Sequence, residues 1–293
     1  MPLLLQLEDL QSYAFSPLES PSKVLMVRPD HFDVEYQINP HMKGESQELP
    51  TIDKQRALFQ WEKLKEKCEE IGLSVTTIPP HEGLPDMVFA ANQSLPLDSK
   101  RVLLSRMAHK ERAEEVQYFK EFFENHGMTA LELPEEVGKF EGTGDAIWHP
   151  GMDLLWCGQG FRTDRTATTY LGEKLGLALA PLTLVDPYFY HLDTCMCIID
   201  VQTVVWTPKA FSERSQRMID GFFKRKIEVS YEEAKSTFAC NSWSPDGENV
   251  FLPLGAKQLK ADLSNLGYKV HELDTSEFIK AGGSVFCMKL AYF

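Results

Sequence analysis

Residues 67–80 read KCEEIGLSVTTIPP, a charged helical stretch that runs into a glycine and then into a short β-prone run. Gly72 stands where a helix needs a left-handed residue to stop, and the residues after it have strand character. The same layout returns at 122–134 (FFENHGMTALELP), 172–186 (GEKLGLALAPLTLVD) and 263–274 (LSNLGYKVHELD). Gly72, Gly127, Gly176 and Gly267 are separated by 55, 49 and 91 residues, and the last interval is close to two periods. A weaker copy without glycine, FFKRKIEVSYEEA at 222–234, falls inside that double interval.

Strand-like pairs lie between these segments. They are PDMVFAAN with RVLLSRM, DAIWHPG with DLLWCGQG, and TCMCIID with TVVWTP, followed by NVFLPLG and SVFCMKL. Each unit therefore reads strand, strand, helix, strand, and a repeat of this length implies an array of similar units, open or closed into a ring. The early strand KVLMVRP has no unit of its own. Closure would let it complete a unit begun by the last strands and would remove exposed strand edges. It would also explain the apolar tail KAGGSVFCMKLAYF at 280–293, since tails are usually polar and mobile. A doubly wound sheet is the competing α/β arrangement, but no phosphate-binding glycine loop follows a first strand.

With 293 residues, 43% hydrophobic and 25% charged, the chain has the apolar material for a sizeable core. A formal charge of -13 argues against nucleic acid, which wants a basic face, and suits small cationic ligands. Five of the six cysteines read as buried apolar thiols in a reducing compartment; Cys287 is treated separately. MPLLLQLEDLQSY lacks the basic start of a signal peptide, and no window approaches the 18 apolar residues of a membrane span. The expectation is a cytoplasmic, soluble protein with no membrane or nucleic-acid partner, compatible with a homo-oligomer.

Four stretches place polar residues in apolar surroundings at equivalent points of the repeat: LPDMVFAAN (84–92), FEGTGDAIW (140–148), YHLDTCMCI (190–198) and GGSVFCMKL (282–290). On a strand, His191 and Asp193 would share a face, where the carboxylate would orient and charge the imidazole. Glu141 and Asp145 flank two glycines that would let backbone approach a ligand. Cys287 follows Gly282 and Gly283 and needs a nearby cation to become a thiolate. Singly, each has a bland reading: a strand-end histidine, acidic turn residues, a buried cysteine. Together, one thiol, one imidazole and several carboxylates suit a flat cation such as a guanidinium.

These motifs resemble the guanidino-group-modifying enzymes of the pentein fold: arginine deiminases, dimethylarginine dimethylaminohydrolases, amidinotransferases and arginine dihydrolases. The resemblance runs from VRPDHFDVEYQINPHM (27–42) through PDMVFAAN, FEGTGD, FRTDRT and YHLDT to GGSVFCM, in family order. It implies one catalytic domain over residues 1–293, a five-fold pseudo-symmetric α/β propeller of ββαβ repeats closed by the N- and C-terminal strands. It implies that Cys287 attacks the guanidinium carbon and that His191 protonates the leaving nitrogen and then helps activate water. Glu141 and Asp193 would grip the guanidinium, Asp145 would belong to the same binding set, and Arg112 and Arg162 would take the substrate carboxylate. Asn39, Asp86 and Phe89 would line the pocket.

Two positions depart from the common pattern. Thr143 replaces a frequent glycine, and Asn92 stands where deiminases and dimethylaminohydrolases usually carry aspartate. INPHM with GLPDMVFAAN looks most like the arginine dihydrolases, which take arginine to ornithine, ammonia and carbon dioxide. Some of those carry a second domain, for which 293 residues leave no room. Asparagine offers a donor as well as an acceptor, so it can hold a neutral ureido group. A deiminase, a dimethylarginine dimethylaminohydrolase and an amidinotransferase stand as alternatives. No cofactor and no metal are expected, because His191 and Asp193 lack companion ligands; His81, His109, His126 and His149 are read as surface or loop residues.

Overall fold

The computed structural model describes residues 3–43 and 48–293. The four predicted stop glycines all adopt left-handed φ values: 90° at Gly72, 78° at Gly127, 70° at Gly176 and 90° at Gly267. The helices ahead of Gly72, Gly127 and Gly267 span Lys54–Glu70, Glu115–Asn125 and Lys257–Asn265. Before Gly176 a short helix, Arg165–Thr169, loosens into a π-turn at Tyr170–Lys174. The weak copy is real: helix Glu213–Phe222 precedes a strand without a glycine between them.

Among the described residues the strands form five small sheets. The second contains β3 (Ser94–Pro96), β4 (Arg101–Leu104) and β5 (Thr129–Leu131); the third, β6 (Ala146–Trp148), β7 (Leu154–Gln159) and β8 (Ala178–Thr183). The fourth contains β9 (Met196–Asp200), β10 (Thr203–Trp206) and β11 (Arg225–Glu228). In each, the first strand runs antiparallel to the second, and the third runs parallel to the second after a helical crossover. The fifth keeps β12 (Asn249–Pro253) parallel to β13 (Lys269–Leu273), with a single bridge, Trp243 to Phe251, in place of the first strand.

The first sheet joins the chain ends as the tail required. Strand β14 (Leu290–Tyr292) pairs antiparallel with β1 (Lys23–Val27), which pairs parallel with β2 (Ser74–Ile78). The five-fold repeat and its terminal closure are therefore borne out. First strands are mostly buried, whereas the third strands β2, β5, β11 and β13 are mixed or exposed, so the first strands lie inward.

The first strands also carry a correction. The motif residues do not sit on strands; they sit on tight turns just ahead of them, at Pro85–Val88, Gly142–Asp145 and Leu192–Thr194, and around Cys287. His191 caps its turn, so the strand-face argument for His191 and Asp193 fails although the two stay close in the fold.

Candidate active site

The segments that carry Asp86, His191 and Cys287 meet at one narrow cavity, lined among others by Asn39, Asp86, Phe89, Asn92, Arg112, Arg162, His191 and Cys287. The remaining free space inside is about 10 Å³, roughly room for one water molecule, so the described walls close tightly. The paired glycines make that closure sterically feasible. A Cβ on Gly282 would lie 2.7 Å from the Asn39 side chain, and one on Gly283 would lie 2.3 Å from the Phe89 ring. The glycines of FEGTGD serve the chain itself rather than a ligand: a Cβ on Gly142 would meet the Ser94 carbonyl at 2.5 Å.

Cys287 Sγ donates to Asp193 Oδ2 at 3.2 Å and accepts from Asn241 Nδ2 at 3.1 Å. Burial, then the Asp193 charge, pushes the thiol well above its ordinary range, so it is protonated in the free site. Burial likewise pushes Asp193 up to about 7, against the hydrogen bonds it accepts. His191 Nε2 donates to Glu141 Oε2 at 2.7 Å, the carboxylate being able only to accept. Burial nonetheless pulls His191 down to about 4, so the imidazole is neutral and its Nδ1 is left to take a proton. Burial works to raise the Glu141 carboxyl, but Arg162 and His191 outweigh it and hold the group well below the usual carboxylate range.

Several expected roles change. Glu141 was expected to grip the substrate, yet it does not line the cavity. Its oxygens are spent on His191, on Arg162 at 3.0 Å and on the Ala108 amide at 2.8 Å. Asp145 lies behind the wall, accepting from Thr163 Oγ1 at 2.7 Å and the Leu192 amide at 3.0 Å. Asn39 lines the cavity, but its amide clamps the backbone of His41, Met42 and Ala281. Arg112 and Arg162 are buried, not surface residues: Arg112 pairs with Glu115 at 2.8 Å and Arg162 with Glu141, while its guanidinium stacks over Tyr190. His149 is also buried rather than on the surface, accepting from Trp156 Nε1 and donating to the Val201 carbonyl.

Three side-chain atoms of the site are buried with no partner: Asp86 Oδ1, Asp193 Oδ1 and Asn92 Nδ2. The Asn92 orientation follows from Arg112, which can only donate and reaches Asn92 Oδ1 at 2.9 Å. The unpartnered atoms are thus two acceptors and one donor. Buried polar groups without partners cost free energy, and binding sites are where such groups find partners in a ligand.

Sequence reasoning missed Asn241, Tyr36 and Tyr190. Asn241 Oδ1 accepts from the amides of Ser284, Phe286 and Cys287, and Nδ2 reaches both the Asp193 carbonyl and Cys287 Sγ. It belongs to the fifth unit, the one whose first strand shrinks to a bridge. The spacing offered a signal: Asn241 follows Asp193 by 48 residues, as Asp193 follows Asp145. Tyr36 donates to Asp86 Oδ2, and Tyr190 lines the cavity and donates to the Gly282 carbonyl at 2.5 Å.

The bifunctional arginine dihydrolase/ornithine cyclodeaminase ArgZ of Synechocystis sp. is 39% identical over 269 residues, covering 92% of this chain and 37% of that protein. This chain therefore spans little more than a third of ArgZ. The N(G),N(G)-dimethylarginine dimethylaminohydrolase of Mycobacterium tuberculosis is 37% identical over 265 residues, covering 90% of this chain and 84% of the other. The structure of an ArgZ N-terminal-domain variant covalently bonded to a reaction intermediate matches with a TM-score of 0.86. It is 38% identical and covers 92% of this chain and 97% of that one. The family model described as N,N dimethylarginine dimethylhydrolase, eukaryotic, matches residues 28–293, and the chain belongs to that family.

Proposed function

We propose that the chain is a cysteine-dependent hydrolase that takes the guanidino group of arginine, in two rounds, to ornithine, ammonia and carbon dioxide. Two observations carry this reading: the Asp193 carboxyl that accepts from the Cys287 thiol keeps its Oδ1 unpartnered, and Asn92, on the wall of the cavity that Cys287 also lines, keeps its Nδ2 unpartnered. The carboxylate oxygen can accept from a guanidinium. The amide N–H cannot, and wants an acceptor such as the oxygen of a ureido group. The similarity to ArgZ supports the same reading.

In the first round the entering guanidinium supplies the positive charge that the thiol lacks. The Sγ proton passes to neutral His191, and the thiolate forms a bond to the guanidinium carbon. His191 returns that proton to one terminal nitrogen; the C–N bond breaks and ammonia leaves an amidino group on sulfur. His191 then takes a proton from water, whose oxygen attacks the same carbon; the C–S bond breaks to give citrulline, and the proton on His191 returns to the departing Cys287 thiolate. In the second round the Asn92 donor holds the ureido oxygen while Cys287 attacks again, and the remaining terminal C–N bond breaks to release a second ammonia protonated by His191. Hydrolysis of the carbamoyl thioester releases a carbamate that falls to carbon dioxide and ornithine. The remaining N–H groups of Arg112 and Arg162 are the candidates for the substrate carboxylate.

A second reading, dimethylarginine hydrolysis to citrulline and dimethylamine, is favoured by the family model and the mycobacterial relative. Incubation with arginine, dimethylarginine and citrulline separately distinguishes them. Ornithine from arginine, with twice as much ammonia, and direct consumption of citrulline are expected. Citrulline that accumulates from arginine overturns the second round, and dimethylamine as the dominant product selects the second reading. Adding glycine tests amidinotransfer through a new guanidino compound.

A further inference from the structure

The turn that carries Cys287 has two sides. Cys287 faces the cavity described above; Phe286 and Lys289 face a different cavity of about 340 Å³, walled by Ile147, Cys197 and Trp243 among others. That volume falls in the lower range of small-molecule sites, and its walls are mostly apolar. Lys289 is only 1% exposed, yet its ammonium has no hydrogen bond and no ion pair among the described residues. It lies over the rings of Phe286 and Trp243, at 3.2 and 4.8 Å from their centroids. The other buried cationic side chains are treated differently, Arg112 being paired with Glu115 and Arg162 with Glu141. A buried ammonium over aromatic faces, with the Asp193 charge acting on it through space but no ion pair formed, is costly unless an anion joins it.

The mouth of this cavity has the opposite sign. Glu19 and Asp246 are exposed there and Asp200 is partly exposed, with the hydrogen bonds that Asp200 and Asp246 accept keeping both carboxyls below their usual range against burial. A deep cation, an apolar passage and an acidic rim match a short linear molecule with a carboxylate at one end and an ammonium at the other. We propose that this cavity is a second ligand site, in which Lys289 anchors the carboxylate of a small ω-amino acid whose cationic end lies at the Glu19, Asp200 and Asp246 rim. The site is coupled to the first one by position, because Lys289 is two residues from Cys287 and its charge favours the ionised form of Asp193. The inference does not depend on which guanidino compound the first cavity takes.

Burial pulls the Lys289 ammonium down to about 7, which gives the site a direct reporter. Protein labelled with carbon-13 at the lysine ε position, its Cys287 alkylated by chloroacetamidine to block the first cavity, is titrated with and without 6-aminohexanoate. One lysine resonance, missing in Lys289→Met, is expected to titrate near 7 and to move up by about one pH unit or more when the probe saturates. Hexylamine, which lacks the carboxylate, is expected to leave it in place. Val201 lies at the cavity wall and is 47% exposed, so Val201→Trp narrows the cavity at an exposed position without removing the charge. It is expected to weaken the probe's effect at least tenfold. A Lys289 resonance that ignores 6-aminohexanoate, that responds equally to hexylamine, or whose response survives undiminished in Val201→Trp overturns the proposal.

Discussion

At the residue scale, side chains that hold the reacting groups matter as much as those that react. Asn241 ties three amides of the Cys287 turn with one oxygen and reaches Sγ with its nitrogen. Asn241→Ala is expected to lower kcat by about 10²-fold with little change in KM, because misplacing a nucleophile costs rate rather than affinity. Steady-state kinetics on arginine check this; an unchanged kcat would show that the turn holds itself. Asn92→Asp replaces the unpartnered donor with an acceptor and is expected to leave citrulline as the end product, read by amino-acid analysis after arginine is exhausted. Cys287 and His191 stood out in the sequence because they fall, with several carboxylates, at equivalent points of the repeat, and both line the cavity. Asn241 did not, since asparagine is common in turns and its partners lie 43–46 residues away along the chain.

At the element scale the sequence showed where helices stop better than where strands begin. A glycine after an amphipathic helix has one conformational meaning, and all four marked positions fulfil it. The runs PDMVFAAN and SVFCMKL look like strands because they are apolar, but burial and strand character are different properties, and their polar residues need the irregular backbone of a turn. The two kinds of glycine should therefore respond differently to alanine. Gly267 has open space where a Cβ would go, so Gly267→Ala is expected to cost only the left-handed strain, about 1 kcal/mol. Gly283→Ala drives a Cβ into the Phe89 ring and is expected to cost about 1–3 kcal/mol and to impair turnover as well. Denaturant unfolding with parallel kinetics separates them. Equal stability losses, or full activity in Gly283→Ala, would contradict this view of the cavity wall.

At the scale of the whole molecule, closure was legible because an apolar tail and an orphan first strand needed each other. The enclosed ring also buries one histidine, His149, that the sequence reading took for a surface or loop residue. His149 is neutral and doubly hydrogen-bonded, and burial pulls it down to about 4. A histidine held below its unfolded value of about 6.5 carries no penalty above that pH and loses stability as the pH falls toward 4. The loss is on the order of 3 kcal/mol for a shift of this size. The elevated carboxyls of Asp193 and Glu115, both pushed up to about 7, act in the opposite direction across that window. The comparison with His149→Phe therefore isolates the imidazole. The wild-type protein is expected to lose more stability between pH 6.5 and 4 than the variant, by thermal melts across that range. Parallel curves would show that His149 does not titrate on unfolding.

The most direct measurement is peptide mapping of enzyme quenched in acid while it turns over arginine labelled with carbon-14 in the guanidino carbon. The expected result is label on the peptide that contains Cys287, absent from Cys287→Ala and released as labelled carbon dioxide when turnover is allowed to finish. Sustained turnover with label on another residue, or turnover that persists in Cys287→Ala, would contradict the central claim that the tail thiol meets the substrate carbon inside the ring.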